Sequence, residues 1–228
     1  MDKATRQEMR SYVCGQCHVE YYFQPGTVKL IFPWDKGFTP DEVYQYYEEI
    51  KFKDHEHPAT GTPLLKAQHP EFDMFQGSIH QSAGVACADC HMPYTKEGDV
   101  KITSHWWTSP LKTIRESCGA CHRGDAEYLK GRVLYIQRNT ADLQKRAGKA
   151  LVEAIAAIET ARKTPRADQK LLESARQLHR QAQWYWDWVD AENSMGFHNP
   201  PLAMNTSGKA IDLAHQAREA AMRAKPAR

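Results

Sequence analysis

The sequence predicts a mainly α protein in two parts, a loop-rich segment over residues 1–125 and a set of long helices over 126–228. Three observations carry this. Apolar residues recur at steps of three and four through most of the stretch after Asp125. A sustained alternation of period two, the mark of a half-buried strand, is not visible. Eight of the twelve prolines fall before residue 126, where they break any long periodicity into short segments. A length of 228 residues suits one compact domain or two small ones. No run approaches the roughly 20 apolar residues of a membrane-spanning helix, and residues 1–7 carry no apolar stretch that could serve as an export signal. With 30 basic and 28 acidic side chains, a formal +2, the chain lacks the basic excess of a nucleic-acid-binding surface.

Within the first segment, one short helix is expected after Thr39. This threonine can cap it, Pro40 fits its first turn, and Glu42 stands three residues on at capping-box spacing. Asp125 reads as the N-cap of a long helix carrying Leu129, Val133, Ile136, Leu143, Ala147, Leu151, Ala154 and Ile158, ending at Thr164-Pro165. Continuous from 126 to 163, it would reach roughly 57 Å at about 1.5 Å per residue, more than a single layer buries. Thr164 and Pro165 are expected to open a second helix with the apolar line Leu171, Ala175, Leu178, Ala182, Tyr185 and Val189, beside which stand Trp184 and Trp188. The two would form an antiparallel hairpin, and apolar surface left over on the first predicts a homodimer through the long helices. After a stop at Met195-Gly196 comes a final helix, about 201 to 223.

All six cysteines fall in three copies of one pattern: Cys14-Gly15-Gln16-Cys17-His18, Cys87-Ala88-Asp89-Cys90-His91 and Cys118-Gly119-Ala120-Cys121-His122. In Cys-x-x-Cys-His the two thiols add to the two vinyl groups of one haem, and the adjacent histidine reaches the iron as its proximal ligand. Structural zinc also takes paired cysteines with histidine, but three copies with histidine directly after the second cysteine favour haem c. A thioredoxin-like role is weaker, since no βαβ pattern surrounds the motifs. Three covalent porphyrins would also supply the core that a chain of mean hydropathy −0.69 cannot easily assemble from side chains.

Three irons take up to six axial ligands, and the motifs supply His18, His91 and His122. Among the other eight histidines, His179 and His215 are expected to be solvated on helices, and His55 and His57 in a charged loop. His80, His105 and His198 are candidate distal ligands from their settings: seven residues before Cys87, before Trp106-Trp107, and within Gly196-Phe197-His198-Asn199-Pro200. Met92, Trp106 and Trp107 read as packing against porphyrin faces.

The stretches Cys17-His18-Val19-Glu20-Tyr21-Tyr22-Phe23, Lys66-Ala67-Gln68-His69-Pro70 and Cys87-Ala88-Asp89-Cys90-His91-Met92-Pro93 occur in that order, followed by Ser104-His105-Trp106-Trp107 and Gly196-Phe197-His198. Together they closely resemble ammonia-forming cytochrome c nitrite reductase, over nearly the whole chain. That family attaches four haems by Cys-x-x-Cys-His and its catalytic haem by Cys-x-x-Cys-Lys. The resemblance therefore implies a C-terminal portion with three of five haem sites, the catalytic haem, an active-site arginine and the export signal lying in a missing N-terminal haem segment or separate chain. It implies His80 as distal ligand to the haem on Cys118 and Cys121, His198 to the haem on Cys87 and Cys90, and His105 to a haem attached elsewhere. Tyr21 and His69 would stand over the catalytic haem. Glu20, the carbonyls of Tyr21 and Lys66, and the side chain of Gln68 would hold calcium beside it. These are hard oxygen donors, a calcium set; on the residues alone, the same stretches read as packing and an exposed turn. The resemblance further implies six-electron reduction of nitrite to ammonia, a periplasmic location and a quinol-linked multihaem electron donor. A triheme electron-transfer cytochrome with no catalytic activity of its own is the rival reading.

Overall fold

A computed structural model describes residues 3–226; the outermost residues of the two expected segments, 1–2 and 227–228, lie outside the described residues. The first segment is a series of short elements. Helices α1 (Arg6–Tyr12), α2 (Pro40–Glu49), α3 (Glu71–Phe75), α4 (Ile79–Ser82), α5 (Cys87–His91) and α6 (Ile114–Ser117) alternate with three antiparallel two-stranded ribbons. The ribbons pair β1 (Tyr22–Phe23) with β2 (Leu30–Ile31), β3 (His55–Glu56) with β4 (Pro63–Leu64), and β5 (Tyr94–Glu97) with β6 (Val100–Thr103). Thr39 caps α2 in the expected capping box with Glu42. The β5–β6 ribbon carries no apolar alternation: all of β5 is exposed, so its sequence lacks the pattern that burial would impose.

Three long helices make up the second segment: α7 (Ala126–Lys163), α8 (Gln169–Ala191) and α9 (Pro200–Arg223). The carboxylate of Asp125 accepts from Tyr128 N at 2.8 Å and starts α7 where expected. At the other end Thr164 closes α7 rather than opening the next helix, its hydroxyl donating to Thr160 O at 2.8 Å. Arg166 follows with φ +60°, outside any helix. The cap of α8 is Asp168, which accepts from Lys170 N and Leu171 N at 2.9 and 3.1 Å, so α8 begins four residues later than Pro165 suggested. It also ends at Ala191, before Met195-Gly196.

Helix α9 packs along both α7 and α8, making a three-helix bundle rather than a hairpin with an appended helix. Small residues allow the close approach: Ala203, Ala210, Ala214, Ala217 and Ala221 are all fully buried. The expected line on α7 is buried at Val133 and from Ala147 onward, but Leu171 and Leu178 on α8 are only half-buried while Leu172 and His179 beside them are enclosed. Trp184 and Trp188, stacked edge to face at 5.2 Å, are the largest fully buried side chains. Trp184 Nε1 donates to Pro40 O at 2.8 Å, joining the bundle to α2.

Arg180 makes a second such joint, donating to Glu48 Oε1, Phe52 O and Pro63 O at 2.7 to 2.8 Å. These anchors hold the loop-rich segment against one end and side of the bundle. No helix among the described residues is long and apolar enough to cross a membrane.

His179 corrects an expectation. It is fully buried, with Nδ1 3.0 Å from Thr62 Oγ1, its ring 5.6 Å from that of the half-buried His57, and burial lowers its pKa to about 4. Helical surroundings of Arg and Gln suggested solvent, but the β3–β4 ribbon covers this face. His215 is exposed, and so is His55. Trp106 and Trp107 are 87% and 79% exposed, with no protein surface packed on them.

Candidate functional site

Each cysteine motif is one helical turn. His18 N and His122 N donate to the carbonyls of Cys14 and Cys118 at 2.9 and 2.8 Å, and the middle motif is α5 itself. Positions i, i+3 and i+4 of a turn share a face, so both thiols and the imidazole of each motif point the same way. None of the six cysteines is in a disulfide and all are half-buried or exposed, so a porphyrin can reach each of them.

The three turns are tied in series. Arg10 of α1 pairs with Asp89 of α5, and Ser11 Oγ accepts from Cys87 N at 3.3 Å. Ser117 Oγ of α6 donates to Cys90 O at 2.7 Å. Phe72 N donates to His18 O at 3.0 Å, and Gly15 lies so close to Phe72 that a Cβ would come within 2.8 Å of its ring. Interaction with the Cys14 thiol lowers Cys87 to about 6 and raises Cys14, while burial pushes Cys90 up to about 12. Beside the first motif lies a cleft of about 420 Å³ walled by Tyr12, Phe32, Trp34, Phe38 and Phe72. Flat aromatic walls that reach Gly15 and Gln16 of the motif suit a porphyrin.

Two of the candidate distal histidines face motif histidines. The rings of His80 and His122 have centroids 6.2 Å apart at 81°, and those of His91 and His198 are 6.3 Å apart at 65°. Two metal–imidazole bonds of about 2 Å, extended by the rings' own half-widths, place such centroids about 6 Å apart, so each pair fits opposite sides of one iron. His91 Nδ1 is 3.0 Å from Thr108 O, which leaves Nε2 for metal. Phe197 packs on His80 with centroids 6.0 Å apart while the next residue, His198, meets His91, so one turn of chain serves both pairs.

His18 has no facing histidine among these ring pairs. Its Nδ1 lies 3.6 Å from Glu71 Oε2. Glu71 is in turn held by Asn193, whose side-chain amide and backbone N–H both reach its other oxygen. His105 is exposed at the end of the β5–β6 ribbon, apart from these pairs.

Glu20 is the centre of a second cluster. Its side chain is fully buried; Oε2 accepts from Gln68 N at 2.7 Å and Oε1 from Tyr47 OH at 2.9 Å. Its own N–H donates to Asp73 Oδ2 at 2.8 Å. The chain around Tyr21 and the chain around His69 are therefore held by a single carboxylate, with Tyr21 half-buried and His69 exposed.

Burial holds Glu20 well above the usual carboxylate range, and it pushes Asp73 up to about 7. The donors to Glu20 are neutral and the nearby charges, Asp73 and Asp54, are acidic. Lys66 turns away to Asp187 and Ala67 O. The side-chain amide of Gln68 lies 3.3 Å from Lys66 O, which brings two further oxygen-bearing groups to the same place. A buried carboxylate served only by neutral donors is short of positive charge, and carboxylate, carbonyl and amide oxygens are the donors that a calcium ion takes. No cluster of three or more His, Cys, Asp or Glu side chains able to hold a metal occurs among the described residues, so such a site depends on backbone and amide oxygens.

Glu192 and Glu71, which lie against the imidazoles of His198 and His18, carry no signal in the sequence. They stand six residues and more than fifty residues from the histidines they serve. Only the fold reveals them.

A helical bundle carrying three Cys-x-x-Cys-His turns, with histidine rings facing the motif histidines, defines a c-type cytochrome. More particularly, the chain belongs to the cytochrome c552 family, which it matches over residues 1–227. It is 46% identical to the cytochrome c nitrite reductase subunit NrfA of Nitratidesulfovibrio vulgaris, over 94% of this chain and 46% of that protein. It is 45% identical to cytochrome c-552 of Bacteroides thetaiotaomicron, over 95% of this chain and 44% of that protein. The solved structure of the cytochrome c nitrite reductase catalytic subunit NrfA from Desulfovibrio desulfuricans, described with two calcium sites, superposes with a TM-score of 0.93 at 41% identity, over 98% of this chain and 51% of that one. The chain thus spans about half the length of the curated relatives it matches.

Proposed function

We propose that this chain is the electron-relay and distal-pocket part of a periplasmic cytochrome c nitrite reductase that reduces nitrite to ammonia. The observation that carries the reading is the pair of facing imidazoles, His80 with His122 and His91 with His198, at the separation of two ligands on one iron. In this reading Cys14 and Cys17, Cys87 and Cys90, and Cys118 and Cys121 attach three haems, whose irons supply one-electron steps. His105 ligates a haem carried by polypeptide other than these 228 residues, and the catalytic haem belongs there too. Glu20, the carbonyls of Tyr21 and Lys66 and the Gln68 side chain hold calcium.

The residues of this chain then divide the work. His69, exposed and presented from the loop before α3, donates protons and a hydrogen bond as N–O bonds break, and Tyr21 donates a hydrogen bond to the same substrate. Glu20 and a bound cation fix both loops, and the cation adds positive field for an anionic substrate. Apolar side chains left exposed on α7, among them Leu134, Tyr135 and Val152, support the homodimer. A quinol-linked multihaem protein would be the donor.

The test is ammonia formation from nitrite by the complete haem-loaded protein. His69→Ala is expected to lower turnover by about 10²- to 10⁴-fold, the range for a lost general acid, with Tyr21→Phe lowering it less. Turnover unchanged in His69→Ala would reject the pocket assignment. A protein that passes electrons but forms no ammonia with every haem in place would favour the rival, a triheme carrier.

A further inference from the structure

Glu192 is 1% exposed and sits at the C-terminal cap of α8. A carboxylate there opposes the helix dipole, whose C-terminal end is already negative, so capping does not explain it. Its Oε1 lies 2.5 Å from His198 Nδ1, off the N–H axis, and accepts from Ser194 N at 3.0 Å. Oε2 accepts from Ser194 Oγ at 2.8 Å and Gly196 N at 3.2 Å, and Ser194 Oγ in turn accepts from His198 N at 2.8 Å. The 192–198 loop is therefore closed around one buried carboxylate. Among the described residues no Lys or Arg pairs with it, and the group facing it is the imidazole of His198.

The partners of the other rings differ. His91, facing His198, has a neutral carbonyl, Thr108 O, at its Nδ1. Neither ring of the His80 and His122 pair hydrogen-bonds to a protein acceptor among the described residues. A carboxylate on the outer nitrogen of a ligating histidine fixes its orientation and raises its basicity, and a buried negative charge favours the more positive oxidation state of a nearby metal.

We propose that Glu192 is a positioning residue for His198 and, through its charge, makes the iron shared by His91 and His198 harder to reduce than the iron shared by His80 and His122. This rests on the ligand pairing proposed above. Electrons would therefore reside on the His80 and His122 side in preference to the His91 and His198 side, a direction of flow written into one loop.

The experiment is an EPR-monitored redox titration of the complete haem-loaded protein. His198→Ala first identifies the component, as the low-spin ferric signal that becomes high-spin. In Glu192→Gln, which keeps an acceptor of the same shape, that component is expected to stay low-spin while its ferric-to-ferrous ratio at a fixed potential falls at least tenfold, about 59 mV for one electron. Glu192→Asp, which keeps the charge, is expected to stay within threefold of the parent. A component that stays within twofold in Glu192→Gln, or that moves as far in Glu192→Asp, overturns the inference while the pairing stands. If His198→Ala leaves every haem low-spin, the pairing itself fails and the inference with it.

Discussion

Removing the Glu20 carboxylate separates two roles that the geometry assigns to it, hydrogen-bond acceptor and cation ligand. Two donors end on it, Gln68 N and Tyr47 OH, at 2.7 and 2.9 Å, in a fully buried position. Glu20→Ala leaves both without an acceptor, at about 1–3 kcal/mol each, so the loss is about 2–6 kcal/mol without calcium and larger with it, because the variant also forfeits the calcium stabilisation. Glu20→Gln keeps one carbonyl acceptor and removes the charge, so its hydrogen-bond cost is smaller and its calcium response should vanish. For the parent protein, free calcium at about a hundred times the dissociation constant adds about 2.7 kcal/mol to the folded state. The assay is urea unfolding followed by far-ultraviolet circular dichroism, with and without a calcium chelator, comparing midpoints at constant slope. The parent should lose about 2–3 kcal/mol on chelation and Glu20→Gln should be indifferent to it. An equal chelator effect in both proteins, or none in the parent, would refute the assignment of Glu20 as the cation ligand.

His179 gives a pH dependence whose sign is fixed by burial. Its folded pKa is about 4 against an ordinary 6.5, so the unfolded chain takes up the proton first, and the stability due to a neutral His179 is complete above about pH 6.5 and lost as pH falls toward 4. The parent should lose about 3 kcal/mol over that window relative to His179→Gln, at about 1.4 kcal/mol per pH unit; parallel stability curves for the two proteins would contradict this. Trp184→Ala, deleting a fully buried ring and its bond to Pro40 O, should cost about 3–5 kcal/mol in the same unfolding assay. His80→Ala should convert one low-spin haem to high-spin in the optical and EPR spectra while leaving the three attachments intact. A spectrum unchanged from the parent would show that His80 does not ligate iron.

How much could be read in advance follows the range of the interactions involved. Caps act over three or four residues, so the starts of α2 and α7 are placed correctly from Thr39 and Asp125. The start of α8 is not, because Pro165 suggests a start ahead of the cap that forms, Asp168. Asp168 is favoured by a tertiary contact, its N–H donating to Ala224 O at the far end of α9. The burial of His179 likewise depends on a ribbon more than a hundred residues away. The cysteine motifs are legible since their chemistry needs a single helical turn, and His80 and His198 were legible only as candidates. What pairs each with His122 and His91 is the packing of α4, α5 and the 192–198 loop. Glu71 and Tyr47 act across the fold, and Glu192 acts within a loop that no local pattern marks.

Intact mass spectrometry of the chain matured with its haem-attachment machinery decides whether these 228 residues carry three covalently attached haems. Under denaturing conditions the mass should equal that of the polypeptide plus three haems, with no thiol left to alkylate. A lower haem count, alkylatable cysteines, or the mass of the bare polypeptide that zinc binding would leave on denaturation would contradict haem attachment at all three motifs.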